Sequence, residues 1–147
     1  MALFTRRMAV ALGAVTAVAT AAPAIAANPA PTSLNLRASK TVVKAHHTVT
    51  FTATLTSNGK AVSGEAANIV VQERKAPTTG HRTTWQDQVV AVTENPPASG
   101  HYTFTVSPPI ATHKNTQKDQ YRVVFKGDSN YAASHSQIIT ITVKRSG

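Results

Sequence analysis

The sequence predicts an all-β protein, folded as a two-sheet antiparallel sandwich of about seven strands. Apolar and polar residues alternate with a period of two in several segments, which places successive side chains on opposite faces of a strand. From residue 27 onward, Thr, Val and Ile supply 36 of 121 residues, and these β-branched side chains favour strands over helices. Gly, Pro and Asn residues typical of turns separate the alternating segments. A closed barrel is the alternative architecture.

Residues 1–26 have the features of a secretory signal peptide. A pair of arginines is followed by an apolar stretch at residues 8–18, and residues 24–26 have the small-x-small pattern of a signal-peptidase site. We therefore expect this segment to be removed and the protein to be secreted; the alternative is a buried N-terminal helix. Both the general and the twin-arginine export routes stay open. Residues 27–32 (ANPAPT) are expected to form a flexible lead.

Seven segments from residue 33 to residue 143 are predicted as strands. Leu34 and Leu36 indicate a short first strand, and the clearest alternation runs through residues 47–56 (HTVTFTATLT). Segments 68–73 and 86–93 have strand composition but do not show which of their faces is buried. Alternation returns in the last three predicted strands, at 102–106, 121–125 and 139–143.

The predicted core consists of the apolar side chains on the inward strand faces. Because the sequence contains no Cys, we expect apolar contact between the two sheets, rather than a disulfide, to hold the sandwich together. The expected inward residues are Val49, Phe51, Leu55, Tyr102, Phe104, Tyr121, Val123, Phe125, Ile139 and Ile141.

Three segments, taken in order, carry a resemblance to a known family. They are residues 68–75 (NIVVQERK), 99–107 (SGHYTFTVS) and 121–143 (YRVVFKGDSNYAASHSQIITITV). Together they resemble the bacterial immunoglobulin-like domain family of secreted and surface proteins, in a cysteine-free form. The resemblance implies an immunoglobulin-like sandwich over residues 33–143, with 144–147 as a C-terminal tail. Such a fold can carry many functions, so the resemblance implies fold more than function.

The last of these segments also resembles the tyrosine corner of immunoglobulin folds. Tyr121 leads the strand, and Val123 occupies the position two residues later where antibody domains often have Cys. We expect residues 127–130 to turn the chain and Tyr131 to cover the end of the core.

The sequence does not favour catalysis. A hydrolase needs a nucleophile, a base and an orienting acid, and no Gly-x-Ser-x-Gly elbow is present. A glycosidase needs two facing carboxyls, whereas the six acids are scattered along the chain. We therefore expect no enzyme activity and no cofactor, and a small secreted hydrolase is the least favoured function.

Metal binding is also disfavoured. The six His have no i, i+2 strand spacing or i, i+4 helix spacing that would aim two imidazoles at one metal. Asp128, Ser129 and Asn130 could offer oxygens to calcium, but their composition is more typical of a turn. The six His are His46, His47, His81, His101, His113 and His135.

An internal isopeptide crosslink, known from some surface immunoglobulin-like domains, is a further possibility that the spacing does not demand. Lys44, Asn68 and Glu73 are its candidate participants. Its formation would release one ammonia and would be visible as a change in intact mass.

Positive charge is the main predicted surface feature. Residues 27–147 contain 13 Lys and Arg against 6 Asp and Glu, which gives 13 − 6 = +7. One basic cluster surrounds the loop at residues 76–84, and the other comprises Lys114, Lys118, Arg122 and Lys126. The loop is the best recognition candidate because Trp and Arg are enriched at binding hot spots. The candidate binding residues are Arg74, Lys75, His81, Arg82 and Trp85, and the alternative for Trp85 is a packing role.

These observations predict a non-catalytic, secreted binding or structural module that acts at or outside the bacterial cell envelope. Its expected partner is an unknown protein or an anionic wall polymer or glycan, with loose association with the wall. We expect a monomer with no membrane span, no metal and no specific nucleic-acid partner. The alternative function is a small-ligand carrier or protein inhibitor built on the sandwich.

Overall fold

The computed structural model describes residues 28–146, which form a β-structure without an α-helix. A single 3₁₀ turn at Ala66–Asn68 is the helical element of this span. The predicted signal peptide lies outside the described residues. The described strands are β1 (Ser33–Ala38), β2 (Val42–Lys44), β3 (Val49–Ser57), β4 (Lys60–Ala61), β5 (Ile69–Lys75), β6 (Gln86–Gln88), β7 (Thr93–Glu94), β8 (His101–Val106), β9 (Thr116–Phe125), β10 (Ser134–His135) and β11 (Ile139–Lys144).

The strands form two sheets, which confirms the predicted sandwich. The first sheet has the order β2-β11-β9-β5-β6, with β10 attached to β9. The second sheet has the order β1-β3-β8-β7, with β4 attached to β3. The prediction of purely antiparallel sheets is wrong at one pair, because β2 runs parallel to β11. After β1 the chain crosses to the other sheet and joins the edge of β11 there, so two consecutive short strands belong to different sheets.

Burial follows the period-two pattern. In β3, Val49, Phe51, Ala53 and Leu55 are buried, whereas the Thr residues between them are partly or fully exposed. The Phe51 ring stacks on Phe104 with ring centroids 5.1 Å apart, and it lies 5.2 Å from the ring of Tyr121. Nine of the ten predicted core residues are buried, and Ile139 is half-buried at the margin of the core. Apolar contact between the sheets therefore accounts for the packing of the described residues.

The predicted strand at residues 86–93 is wrong, because the chain changes sheets within it. Gln86–Gln88 pairs with β5 in the first sheet, whereas Thr93–Glu94 pairs with β8 in the second. Between them, Val90 and Val92 pack against the core, and Val89 is exposed. The composition of residues 86–93 indicated a strand but carried no information on which sheet each part would join.

The predicted flexible lead is held against the domain at residues 30–32. The Ala30 backbone N–H donates to the Asn130 carbonyl at 2.9 Å, and the Ala132 N–H donates to the Ala30 carbonyl at 2.8 Å. Thr32 Oγ1 donates to the Ala132 carbonyl at 2.7 Å. These bonds satisfy backbone groups in the 130–132 segment, so this part of the lead belongs to the folded unit.

Tyr121 differs from the tyrosine-corner pattern in two respects. It is the sixth residue of β9 rather than its first. Its hydroxyl donates to the Glu73 carboxylate on the neighbouring strand rather than to a backbone carbonyl upstream. Burial raises the pKa of Tyr121, and the Glu73 carboxylate raises it further. The buried Tyr102 uses its hydroxyl differently, since it donates to the Val62 carbonyl at 2.6 Å and accepts from the Glu65 N–H at 3.2 Å.

Candidate anion-binding face

The outer face of the first sheet carries an excess of basic side chains. On β5 and β9, residues that point into the core alternate with residues on this outer face. We define the basic face by the five residues Lys44, Arg74, Lys118, Arg122 and Lys144, which lie on strands β2, β5, β9 and β11.

The pairing register of the first sheet brings these bases together. Lys44 lies opposite Lys144, and the next strand places Lys118 opposite Thr142. On the other side of β9, Gln120 lies opposite Arg74 and Arg122 lies opposite Gln72. Among the outward-facing residues of these paired strands, one carries a carboxylate: Asp87 on β6, which lies opposite Gln72. Five bases therefore share this face with one acid.

Trp85 lies against two of these bases. The guanidinium carbon of Arg74 is 4.3 Å from the Trp85 ring centroid, and that of Arg122 is 4.4 Å from it. Guanidinium groups at this distance are attracted by the ring electrons, which offsets part of the repulsion between two neighbouring cations. Trp85 is half-buried and does not belong to the buried core of the described residues. The Trp85 ring therefore packs against the two arginines on the outer face.

Cross-strand glutamines fix the orientation of both arginines. Arg74 Nε donates to Gln120 Oε1 at 2.8 Å, and Arg122 Nε donates to Gln72 Oε1 at 2.8 Å. Gln72 in turn donates to Asp87 Oδ1 at 2.8 Å. Neither arginine is within ion-pair distance of a described carboxylate. The terminal N–H groups of neither arginine donate to a described residue, and the fork geometry of such groups matches carboxylate, sulfate and phosphate oxygens.

The structure brings Arg74 and Trp85 together and adds Arg122, which was absent from the candidate set. Arg122 belonged to the second basic cluster in the sequence, and the β5–β9 register places it near the first. The sequence did contain a signal that Arg122 lies on the outer face, because it stands between the inward-facing Tyr121 and Val123 on an alternating strand. Sequence spacing alone did not indicate that β9 pairs with β5.

Lys75 is separate from this cluster because it follows Arg74 on the strand and points to the opposite face. Its Nζ lies 3.2 Å from Asp119 Oδ1, and the Asp119 side chain is 0% exposed whereas that of Lys75 is 51% exposed. Gln117 Nε2 also donates to both Asp119 carboxylate oxygens, at 2.9 and 3.1 Å. Lys75 therefore serves as the counterion of a buried carboxylate.

His81 and Arg82 are both exposed in the loop that precedes Trp85. The backbone groups of Thr78 and His81 exchange two hydrogen bonds, at 3.2 and 2.9 Å, across a turn in which Gly80 has φ +78°. Arg82 and Arg74 line one cleft of about 330 Å³. Arg82 is thus adjacent to the basic face, and His81 lies at the tip of the loop.

Asp128, the acidic residue of the calcium candidate, has a structural role. Asp128 Oδ1 accepts the backbone N–H groups of Asn130 at 2.7 Å and Tyr131 at 2.8 Å, and the bond from Asn130 is the main cause that lowers the pKa of Asp128. This carboxylate therefore closes a turn. Within residues 28–146, no three His, Asp or Glu side chains are grouped around a potential metal position.

The proposed crosslink partners lie far apart. Lys44 is in register with Lys144 and hence with Thr116, the first residue of β9, whereas Asn68 precedes Ile69, which pairs with the last residue, Phe125. A separation of nine residues along a strand is about 30 Å. The crosslink hypothesis for these residues is therefore wrong.

No helix within the described part of the chain has the length and apolar character needed to cross a membrane. No protein-family model matches the chain, and no curated protein matches it either.

Proposed function

We propose that this chain is a secreted, non-catalytic, immunoglobulin-like module that binds anionic polymers at or outside the bacterial cell envelope through its basic face. The observation that carries the proposal is the group of five bases on one sheet face beside one acid, with Arg74 and Arg122 oriented by Trp85 and two glutamines.

The strand order supports the immunoglobulin-like part of the proposal. The second sheet has the order β1-β3-β8-β7, and the first contains β5-β9-β11. Constant-type immunoglobulin domains have sheets ABED and CFG, and the strands named here occur along the chain in the same sequence A to G. The short β2 and β6 then extend the CFG-like sheet at its two edges.

The shape of the basic face supports a polymeric partner. Its bases lie on four strands of one sheet, and neighbouring strands are about 4.8 Å apart, so the charges extend over roughly 15 Å across the strands. A chain with regularly spaced phosphate, sulfate or carboxylate groups can contact several of these bases at once. Each exposed contact is weak, but several contacts to one polymer reinforce one another.

The test is binding of the purified protein to long-chain polyphosphate and to dextran sulfate over a salt series. Trp85 is the single Trp of the sequence, so its fluorescence reports directly on the proposed site. We expect affinity to fall steeply with salt, because binding releases counterions from the polymer. The double variant Arg74→Gln/Arg122→Gln should bind more than about tenfold more weakly, since two charge-assisted contacts are lost.

A matched control removes two charges from the other sheet. Arg37 on β1 and Lys60 on β4 are exposed and belong to the second sheet. The variant Arg37→Gln/Lys60→Gln has the same net charge as the test variant and should bind nearly as well as the unaltered protein. Equal losses in the two variants, or binding that salt does not weaken, would contradict the basic face as the site.

A further inference from the structure

A second basic feature lies at the end of the sandwich, distinct from the Trp85 cluster. A cleft of about 460 Å³ opens between the 76–78 segment, which follows β5, and the 111–116 segment, which leads into β9. Three lysine residues are among those that line it, and we define it as the lysine cleft by these residues: Lys75, Lys114 and Lys118. Its volume lies within the range of about 300–1,000 Å³ that is typical of small-molecule sites.

Hydrogen bonds hold both walls of the lysine cleft. On one side, the Ala76 N–H donates to the Lys118 carbonyl at 2.9 Å. On the other, the Lys114 N–H donates to the Ala111 carbonyl at 2.9 Å, and the Ala111 N–H donates to Gln117 Oε1 at 3.2 Å. Gln117 also donates to the Pro109 carbonyl at 3.1 Å. The cleft is therefore formed by fixed backbone, and a ligand would not have to order it first.

The charges around the lysine cleft do not balance. The buried Asp119 carboxylate compensates Lys75, from which it is 3.2 Å away, and this is the one ion pair within residues 28–146. The residues lining the cleft include no acid. Lys114 and Lys118 therefore carry two positive charges that no described carboxylate pairs with, whereas Lys75 is already paired.

We propose that the lysine cleft binds a compact dianion of the phosphomonoester class, carried on a small organic body such as a sugar. Two uncompensated ammonium groups match two negative charges, and ammonium groups contact phosphate oxygens as point charges without needing a planar partner. Ala76, Pro77 and Ala111 provide apolar wall surface for the organic body. This site does not depend on polymer binding, although Lys118 belongs to both the basic face and the cleft.

Calorimetric titration with glucose 6-phosphate tests the proposal, with glucose 6-sulfate as the singly charged analogue of the same shape. We expect saturable one-to-one binding of the phosphate in the millimolar range and clearly weaker binding of the sulfate. The variant Lys114→Gln should weaken phosphate binding by roughly fivefold to tenfold, because one charge-assisted contact is lost. Lys126→Gln, an exposed lysine just beyond the far end of β9, should bind as the unaltered protein does.

Two binding measurements distinguish this proposal from the polymer-binding function. Lys114→Gln should retain polyphosphate affinity within about twofold, whereas Arg74→Gln/Arg122→Gln should retain glucose 6-phosphate affinity within the same margin. No saturable binding of glucose 6-phosphate, equal affinity for the sulfate, or equal losses in Lys114→Gln and Lys126→Gln would each overturn the phosphomonoester site. None of these results would bear on polymer binding by the basic face.

Discussion

Asp119 is an ionisable residue that is fully buried in a largely apolar interior. Its carboxylate is fully buried and depends on the Lys75 ammonium at 3.2 Å and on the Gln117 amide for compensation. A buried carboxylate without its partner retains a large desolvation cost, whereas a neutral amide in the same place does not. The stability of this end of the core should therefore depend on Lys75 although that side chain is half exposed.

We expect Lys75→Gln to lower the free energy of unfolding by about 1–3 kcal/mol, because it leaves a buried acceptor with less compensation. Urea unfolding at neutral pH measures the change. The double variant Lys75→Gln/Asp119→Asn should recover part of the loss, since it removes the buried charge as well. If the double variant is less stable than Lys75→Gln alone, the charge of Asp119 is not the cause of the loss.

At the scale of an element, Glu94 joins two neighbouring turns of the second sheet. Its carboxylate accepts the backbone N–H of Gly64 at 3.0 Å and that of Gly100 at 2.8 Å. Gly100 has φ +73°, and a Cβ there would lie 3.0 Å from the Leu55 carbonyl oxygen. The backbone at residue 100 is thus set closely against β3, and Glu94 holds it there.

The acid dependence of stability should reflect this carboxylate. The bond from Gly64, followed by that from Gly100, lowers the pKa of Glu94 below its ordinary value of 4.5. A group whose folded pKa is lowered stabilises the fold above its unfolded pKa, and this contribution is lost as pH falls through the folded pKa. Glu94→Gln should therefore be less stable than the unaltered protein at neutral pH, with a smaller further loss below about pH 4.5.

Urea unfolding at about pH 7 and at several values between about pH 5 and pH 3 measures this difference. Some acid dependence should remain in the variant, because the bond from the Asn130 N–H lowers the pKa of Asp128 in the same direction. An identical decline with pH in Glu94→Gln and the unaltered protein would rule out Glu94 as a contributor.

At the scale of the whole molecule, the sequence predicts those features of the fold that depend on residues close together along the chain. Alternation along residues 47–56 specifies that Val49, Phe51 and Leu55 share one face, and the structure buries all three. It also indicates the strands around Tyr102 and Ile141, because each strand must place one apolar face against the other sheet. The two-sheet architecture follows from several such strands.

The remaining features depend on contacts between distant residues. Arg74 and Arg122 become neighbours only through the register of β5 with β9, and no local pattern specifies that register. Lys75 was grouped with Arg74 by sequence, but adjacent residues of a strand point to opposite faces, and its partner is Asp119. The sequence thus predicted a basic region that contains Trp85. It did not predict how Arg74, Arg122 and Trp85 are arranged.

The docked N-terminal segment extends the folded unit beyond the predicted domain boundary at residue 33. Ala30 pairs with Tyr131, Thr32 Oγ1 donates to the Ala132 carbonyl, and Ser57 Oγ donates to the Pro31 carbonyl at 2.8 Å. The first two of these contacts join residues about one hundred positions apart, so they connect the segment before β1 to the segment between β9 and β10. Their hydrogen-bond contribution is partly offset by the entropy lost in ordering the segment.

A chain that begins at Ser33 should therefore be less stable than one that begins at Asn28, by on the order of 1–2 kcal/mol. Urea unfolding of the two chains measures this difference as a shift in midpoint, with little change in slope because few residues are removed. Thr32→Val in the longer chain is the matched point change, since it keeps the segment but removes the hydroxyl that bonds Ala132, and it should show a smaller loss. Equal midpoints for the two chain lengths would mean that the segment lies on the domain without stabilising it.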